Sequence, residues 1–431
     1  MKTTYLSLIS LSLISASPAN AQPKELSSRS LSLSEVTAIV VANNPAIKES
    51  MAKWEATKQR ITQEAAWDDL KVSAMARTAR FVSVPPNAFT DESVSIEQAI
   101  PISGKNRARA RIAAQDAVVA YEAARREQLD VITRARIAYF RLADGYAQRE
   151  LNNQNLASLR QIAEIGRSRY EVGAESAAEV LIAETEASKL METRRDFDNT
   201  IALNQSQLNV LMNRDAFVPI VIAAPPSLHS TSLRPEWLRT RTLAKRPEIL
   251  STHARLAGLK SGVDLARRGW MPDPSVSVQG QRYNGAAQGI SELDAGITFS
   301  IPWGNYRKYS ASVSEARSQL EAATHANERA ETEAIGLLRD ALQKVETAHH
   351  HVDLFREKLV PQSRQAFEAS QFTYEAGKSG FSEWIAAQRT LRDLQAMERE
   401  HLTDYQIAMA ELESVVGDDL GIFGAQTKEF K

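Results

Sequence analysis

The feature that most restricts the fold is a long stretch without helix-breaking residues in the first half of the chain. No proline occurs between Lys105 and Pro219, and the stretch is rich in Ala, Arg, Glu, Gln and Leu, which are strong helix formers. The segment from Lys105 to Val172 alone would form a helix of roughly 100 Å at about 1.5 Å per residue. Such a helix cannot fold back into a compact globule, so the chain is predicted to be elongated, with other helices packed alongside.

Shorter helices are predicted on either side of this long one. Gly173 ends the long helix, and a second helix at 176–213 must return beside it. An earlier helical segment runs from Leu33 to Asp69, with Ser34 as its predicted N-cap. Together these two segments are close in length to the long helix, so they can lie end to end along it.

The sequence contains the same order of features twice. Three pairs of matching positions recur at a nearly constant separation: Pro45 with Pro247, Pro101 with Pro302, and Tyr170 with Tyr374. The local sequences also agree, since Tyr170-Glu171-Val172-Gly173 corresponds to Tyr374-Glu375-Ala376-Gly377. A constant separation of this kind indicates an internal two-fold repeat with almost no net insertion.

The duplication predicts two structural repeats behind a targeting segment. The first repeat is placed at 22–217 and contains a β-hairpin at 71–100, the long helix at 105–172 and the helix at 176–213. A linker follows at 218–235. The second repeat is placed at 236–417 and contains a hairpin at 274–301, a long helix at 305–376 and a helix at 381–417, ahead of a C-terminal tail at 418–431.

The N-terminus has the pattern of an export signal. Lys2 precedes an apolar, serine-rich stretch at 5–14, and Ala19-Asn20-Ala21 provides a cleavage site of the small-x-small type. We therefore expect a signal peptide at 1–21, which is cleaved to leave a mature protein that begins at Gln22.

Composition excludes several classes of function. The 52 basic residues are balanced by 53 acidic ones, so the chain lacks the excess positive charge that nucleic-acid binding needs. Cysteine is absent, which excludes disulfides, cysteine zinc sites, thiol catalysis and a lipoprotein anchored through an acylated cysteine. No nucleophile, base and orienting group form a recognisable set, so no enzyme and no cofactor are expected.

Alternation of apolar and polar residues predicts the strands of the two hairpins. In the first hairpin, Val94 and Ile96 alternate with Ser93 and Ser95. The apolar positions of the second hairpin follow the same period: Val276, Val278, Leu293, Ala295, Ile297, Phe299 and Ile301. Each hairpin therefore has one apolar face and one polar face.

Strands of about nine to twelve residues are long enough to cross a bilayer as part of a tilted β-barrel. Four strands cannot close a barrel, and an open sheet edge in lipid leaves backbone groups unpaired at a cost of several kcal/mol each. Other copies of the chain must then complete the barrel, which predicts an oligomeric channel. A soluble hairpin that caps a coiled coil is the alternative that periodicity alone leaves open.

These features resemble the TolC family of outer-membrane efflux factors over essentially the whole mature chain. The most specific stretch is 374–381 with Ala387-Gln388-Arg389-Thr390-Leu391, which is similar to the helix turn in the second repeat of the cobalt, zinc and cadmium efflux branch. Gln98-Ala99-Ile100-Pro101 and the segment from Arg268 to Pro274 fit the same branch. The resemblance implies a mainly α fold with a small β part: a homotrimer in which four strands per protomer close a 12-stranded outer-membrane β-barrel, continuous with a long antiparallel α-helical tunnel.

The same resemblance implies a role as the exit duct of a tripartite efflux system. Such a duct conducts substrates passively from an inner-membrane proton-driven pump and a periplasmic membrane-fusion adaptor, across the periplasm and the lipid of the outer membrane of a Gram-negative bacterium. The branch favours divalent metal cations as the substrate, while drugs and other small molecules stay open. Two further classes also stay open: an exported coiled-coil scaffold or adaptor, and an envelope hydrolase.

In the family, inward-coiling helices close the periplasmic end of the tunnel, and its constriction carries rings of acidic residues. Aligned from the tip glycine, Glu383 matches the first of two gate carboxylates, and Ala386 stands where the family has the second. The same count from Gly173 places Glu179 at the position that ties the closed gate to the tyrosine matching Tyr374. Three copies of Glu383 around a threefold axis would form a carboxylate ring that attracts cations.

The two tip turns would form the contact surface for the adaptor. The residues concerned are Tyr170, Val172, Gly173 and Ala174 in the first turn and Ala376, Gly377 and Lys378 in the second. His349-His350-His351 also suggests a metal site, but adjacent helical residues point about 100° apart, so one ion cannot bind all three. We expect these histidines to form a solvated face, and no metal site is predicted.

Overall fold

The computed structural model of the protein describes residues 30–77, 91–226, 234–283 and 289–423. The predicted signal peptide at 1–21, the loop with Pro85-Pro86-Asn87 and residues 284–288 of the second hairpin turn lie outside the described residues. Within the described part the chain is mainly helical with a small antiparallel sheet, which confirms the predicted fold class for the protomer.

Nine α-helices occur in the described residues. The helices are α1 Leu33–Asn43, α2 Pro45–Ala65, α3 Lys105–Glu171, α4 Ala177–Leu211, α5 Pro235–Lys245, α6 Pro247–Arg268, α7 Tyr306–Leu354, α8 Val360–Glu375 and α9 Phe381–Val416. The three longest are α3 with 67 residues, α7 with 49 and α9 with 36.

Helix α3 is the 67-residue element around which the others are arranged. It extends for roughly 100 Å at about 1.5 Å per residue, and it ends one residue before the predicted Val172. Helices α2 and α6 pack along its first part, and α4 and α9 pack along the remainder. Small buried residues on α3, such as Ala108, Ala135 and Ala138, allow these helices to approach closely.

The predicted helix from Leu33 to Asp69 is wrong as a single element, because it is two helices. Asn44 has extended backbone angles and ends α1, while Pro45 begins α2 at a position where its missing N–H costs nothing. The Asn44 side chain accepts from the amide of Ala46 at 2.9 Å and donates to the carbonyl of Leu211 at 2.9 Å. The predicted N-cap at Ser34 is also wrong, since Ser32 caps α1 in a capping box with Glu35.

The second long helix, predicted at 305–376, is interrupted. A short 3₁₀-helix at Pro302–Asn305 leads into α7, and a π-helix at Phe355–Leu359 separates α7 from α8. Pro361 lies in the first turn of α8 and has no amide hydrogen to donate to the preceding turn. The π-helical segment changes the hydrogen-bond register at this point, so the chain continues in the same direction without a regular α-helix.

The four strands of the described residues form one antiparallel sheet in the order β1-β2-β3-β4. They are β1 Lys71–Arg77, β2 Asp91–Ala99, β3 Pro274–Tyr283 and β4 Glu292–Phe299. The two hairpins join through β2 and β3, where Ile96 lies opposite Val278. Segments distant in the sequence therefore meet in the sheet.

The helices enclose two hydrophobic clusters. The larger lies where α1, α3, α7 and the end of α9 meet, and Tyr139, Phe140 and Met409 are fully buried there. Tyr139 also donates to the carbonyl oxygens of Leu31 and Ala223, at 3.1 and 2.7 Å. The smaller cluster lies near the turns that follow α3 and α8.

A glycine allows the end of α9 to approach the junction of α5 and α6. Gly417 follows α9 with φ of +78°, and its N–H donates to the carbonyl of Glu413 at 3.0 Å. A Cβ atom there would lie 2.8 Å from Cα of Arg246 and 2.9 Å from Cδ of Pro247, which is closer than real contacts. Arg246 in turn donates to the carbonyl of Val415 at 2.6 Å.

We predict that Gly417→Ala lowers the free energy of unfolding by about 2–4 kcal/mol, because it adds a backbone clash to the strain of a left-handed residue. Gly421→Ala is the matched control, since Gly421 has φ of +68° and open space around the added Cβ. Its cost should be about 1 kcal/mol. The measurement is thermal or denaturant unfolding of both variants in detergent, and equal losses would contradict the clash.

Candidate functional site

The register of the sheet separates its residues into two chemically different faces. Cross-strand partners share a face, so the pairs Val72 with Ile96, Ile96 with Val278 and Val276 with Ile297 lie on the same side. Most positions on this side are apolar: Val72, Ala74, Val94, Ile96, Val276, Val278, Gly280, Leu293, Ala295, Ile297 and Phe299. Gln98 lies on the same side opposite Val276, and Glu92 and Arg282 lie opposite each other at the far end of the sheet. The other side is mostly polar: Ser73, Ser93, Ser95, Glu97, Ser277, Gln279, Gln281, Asp294 and Thr298.

The apolar face has no protein packed over it in the protomer. Val72 is 65% exposed, Leu293 is 69% exposed and Ile297 is 64% exposed. Strands β1 and β4 lie at the two ends of the sheet order, so in the described residues each has one edge without a strand partner. An apolar patch of this size, rimmed by unpaired backbone groups, marks a surface that another phase or another chain covers.

A partly buried polar cluster connects the sheet to the helices at the start of β3. Asp273 accepts from the amide and the hydroxyl of Ser103, both at 2.8 Å, and from Lys105 at 2.9 Å. Arg268 donates to the carbonyl of Ser103 at 2.6 Å. The segment from Arg268 to Pro274, singled out in the sequence, thus holds the first residues of α3 against the last residues of α6.

The opposite end of the protomer consists of two similar turns. Gly173 and Gly377 follow α3 and α8 with φ of +76° and +69°, a conformation that favours glycine. Their amides donate to the carbonyls of Tyr170 and Tyr374, each at 2.9 Å. The side chains predicted to contact an adaptor, those of Tyr170, Val172, Ala174, Ala376 and Lys378, are all exposed.

Behind these turns lies a buried aromatic cluster that the sequence patterns did not reveal. Tyr374 is 1% exposed and stacks on Trp384 with ring centroids 5.1 Å apart. Phe381 contacts both rings edge to face. The guanidinium of Arg169 lies 4.2 Å from the centre of the Tyr374 ring, so α3 contacts α8 through a cation–π interaction.

The hydrogen bonds at the tip differ from the predicted pairing of Glu179 with Tyr374. The hydroxyl of Tyr374 donates to Glu175 at 2.9 Å, and Glu179 accepts instead from the hydroxyl of Ser382 at 3.2 Å. The sequence did not indicate Glu175 as the partner of Tyr374, because counting from Gly173 by the family pattern leads only to Glu179. The separation along the sequence does not show which of two nearby carboxylates a tyrosine on another helix contacts.

The electrostatics of the tip follow from these contacts. The hydrogen bond with Glu175 raises the pKa of Glu179, and burial and the negative charge of Glu175 act in the same direction. Burial raises the pKa of Tyr374 to about 12, and the hydrogen bond to Glu175 adds to this effect. Tyr374 therefore remains a neutral hydrogen-bond donor. Glu383 lies exposed in the first turn of α9, next to Ser382, and Ala386 is exposed one turn later.

A second bridge between the helices lies farther from the tip. Glu186 of α4 is 6% exposed and accepts from Arg389 of α9 at 2.7 Å and from Lys189 at 2.8 Å, with Arg392 at 3.4 Å. Burial opposes ionisation, but the hydrogen bond from Lys189 and the charge of Arg389 outweigh it and lower the pKa of Glu186. The sequence singled out Arg389 but gave no signal for Glu186, whose role depends on the packing of α4 against α9.

In the part of the chain that the structure describes, no helix is long and apolar enough to cross a membrane. The same residues hold no group of three or more His, Cys, Asp or Glu side chains arranged for a metal ion.

Comparison with known proteins places these features in a family. A family model described as outer membrane efflux protein matches residues 38–214 and 238–418. The probable efflux pump outer membrane protein SepC and the toluene efflux pump outer membrane protein TtgF, both of Pseudomonas putida, are each 24% identical over 73% of this chain. The match spans 65% of the length of each of these relatives. The nickel and cobalt resistance protein CnrC of Cupriavidus metallidurans is 22% identical over 60% of each chain.

Solved structures share the fold. The structure of CusC matches with a TM-score of 0.80 at 14% identity, over 90% of this chain and 92% of that one. The outer membrane protein VceC of Vibrio cholerae matches with a TM-score of 0.76 at 18% identity, over 90% and 96%. The family match over most of the sequence shows that the chain belongs to the outer membrane efflux protein family, whose members are channels and not enzymes.

Proposed function

We propose that the protein is the exit duct of a tripartite efflux system and acts as a homotrimer. The observation that carries this proposal is the sheet, which has one exposed apolar face, one polar face and an open edge at each end. Alternation of lipid-facing and lumen-facing residues is the pattern of an outer-membrane barrel strand. In this proposal three sheets close a 12-stranded barrel with the apolar face toward outer-membrane lipid.

The proposed trimer removes the two unfavourable features of the isolated sheet. Joining β4 of one protomer to β1 of the next pairs the edge groups that would otherwise cost several kcal/mol each in lipid. Lipid then covers the apolar face, where each buried Val, Leu or Ile contributes about 1.5–3 kcal/mol. The scaffold alternative leaves this face in water and accounts for none of these residues.

The helices would form the tunnel that reaches across the periplasm from the barrel. Helix α3 extends for roughly 100 Å, with the sheet at one end and the exposed turns at the other. The turns with Gly173 and Gly377 are then the contact surface for a periplasmic membrane-fusion adaptor, which connects the duct to an inner-membrane proton-driven pump. The signal peptide predicted at 1–21 is consistent with the export that this location requires.

The tip would also hold the gate. Glu383 is proposed to form a threefold carboxylate ring, since it lies exposed beside the turn that ends the tunnel. Tyr374 and Glu179 belong to the contacts that hold α3, α4, α8 and α9 together behind this ring, with Glu175 as the direct partner of Tyr374.

The substrate is proposed to be divalent metal cations. CnrC, a nickel and cobalt resistance protein, and the carboxylate proposed for the constriction both support a cationic substrate. The alternative is a small organic molecule, which the toluene efflux protein TtgF favours at slightly higher identity. A passive duct imposes little selectivity itself, so the pump that it serves would decide between them.

We predict that the mature protein in detergent is a trimer that gives discrete conductance in planar bilayers. Ile297→Lys should reduce the yield of heat-resistant trimers, since a charge on the lipid-facing side costs up to about 2–4 kcal/mol per protomer. Thr298→Lys, one residue away on the polar side, should preserve the trimers and shift ion selectivity. A soluble protein that does not conduct, or an equal loss of trimers in the two variants, would contradict the proposal that this sheet lies in the membrane.

We predict that Glu383→Ala weakens the cation preference of single channels and the block by multivalent cations, because it removes three negative charges from the constriction. Glu368→Ala is the control, since Glu368 is an exposed residue of α8 and the substitution removes the same charge outside the ring. Single-channel recordings under matched salt provide the measurement. If both variants kept the wild-type preference and block, the ring would be wrong.

The hydrogen bond between Tyr374 and Glu175 can be tested by two double-mutant cycles. Combining Tyr374→Phe with Glu175→Ala should give a coupling energy of about 1 kcal/mol or more, because one bond links the pair. Combining Tyr374→Phe with Glu179→Ala should give a coupling near zero. Hydrogen exchange of residues 374–384 gives the local opening free energies from which both coupling energies are calculated. A larger coupling of Tyr374 with Glu179 than with Glu175 would support the predicted Glu179 pairing instead.

A further inference from the structure

Four of the seven histidines of the chain lie at one level of the helical part. His349, His350 and His351 occupy consecutive positions near the end of α7, and His401 faces them from α9. The sequence alone treated the first three as a solvated face. It could not show that a fourth imidazole, fifty residues farther along the chain, lies against one of them.

The distance between two of these rings fits joint binding of one metal ion. The ring centroids of His351 and His401 are 4.8 Å apart. Two imidazoles bound at about 2.0–2.1 Å, with an angle at the metal of about 90° to 109°, have centroids about 4.5 to 5.2 Å apart. The observed separation, with the two rings tilted by 52°, therefore lies within the range expected for two ligands of one ion.

The surroundings of the pair favour a cation. His351 and His401 line a groove of about 590 Å³ between α7 and α9, together with the carboxylates of Asp340, Asp404 and Glu411. Lys344 is the one lysine or arginine in this lining, and it lies 3.4 Å from Glu411. Asp404, one turn from His401 on α9, is the carboxylate of this lining that lies near the pair, since Asp340 and Glu411 are about 15 Å farther along their helices. The groove as a whole has excess negative charge, and its volume leaves room for the water ligands that would complete a coordination sphere.

The other two histidines are less suited to bridge the helices. His349 is paired with Asp353 on its own helix, with Nδ1 and Oδ2 3.0 Å apart, and its ring packs edge-on against Tyr405. His350 is exposed, and its ring centroid is 6.3 Å from that of His351. His351 and His401 are both partly buried and come from different helices, so an ion held by both would join α7 to α9.

We propose that His351 and His401 form a two-histidine clamp for a divalent transition-metal ion. Neutral imidazole is a ligand for Zn²⁺, Ni²⁺, Co²⁺ and Cu²⁺, whereas Mg²⁺ and Ca²⁺ prefer oxygen ligands. The described residues supply no third ligand already in place, so water completes the sphere. The clamp does not depend on the proposed channel function, because it needs only the contact between α7 and α9.

The test uses the full mature protein, purified in detergent without a histidine tag and titrated with NiCl₂ by calorimetry. Wild-type protein should bind one ion per protomer. His351→Gln and His401→Gln should each raise the dissociation constant for Ni²⁺ by about 10–100-fold or more. Loss of an outer-shell partner alone has a cost of that size, and these substitutions remove a ligand. His349→Gln is the matched control and should bind within about twofold of wild type, since that imidazole is not a ligand.

A spectroscopic measurement identifies the ligands directly, so its result does not depend on the stability of each variant. With Cu²⁺, electron paramagnetic resonance of the wild type should show coupling to two imidazole nitrogens, and each clamp variant should show coupling to one. Binding that persists in both clamp variants would overturn the proposal. Loss of binding in His349→Gln alone would also overturn it, by placing the ion at His349 and Asp353.

Discussion

The constraint on which the rest of the structure depends is an apolar sheet face without protein to cover it. The cross-strand rows from Val72 to Ile297 contain no charged residue, yet these side chains lie open on the surface of the protomer. Water is a poor solvent for such a surface, and the unpaired edges of β1 and β4 add a cost that lipid would increase. Both costs disappear together if lipid covers the face and further copies pair the edges, so location and assembly follow from one feature.

Along the long helices that extend from this sheet, polar contacts join parts of the chain that are distant in the sequence. At the sheet, Asp273 binds Ser103 and Lys105, and at the other end Glu175 accepts from Tyr374. Glu186, between them, joins α4 to α9 through Arg389. Glu186 is buried, and Asp273 and Glu175 are partly buried. A carboxylate removed from water is costly to leave unpaired, so each contact favours one relative position of the helices over its alternatives.

The sequence predicted what depends on local patterns. Proline-free stretches and residue alternation gave the length of α3 and the strands, and the tip glycines marked the turns. The sequence failed at Pro45, whose neighbour Asn44 ends one helix and caps the next, and at the π-helix before Pro361. It also failed wherever two side chains meet through tertiary packing, as Tyr374 meets Glu175, because the distance between such partners is not encoded in their spacing along the chain.

The π-helix and the histidine pair lie at the same level, so metal binding by the pair would be linked to the conformation of this part of α7. Phe355 begins the π-helical segment and packs against His401, whose ring also contacts His351. A π-helical turn is a local departure from the regular hydrogen-bond ladder, and changes in helix geometry concentrate at such positions. An ion bound between α7 and α9 beside this segment would favour the conformation in which the two imidazoles lie close together. Any rearrangement of α7 against α9 would then be linked thermodynamically to metal binding, and each would alter the equilibrium of the other by the same free energy.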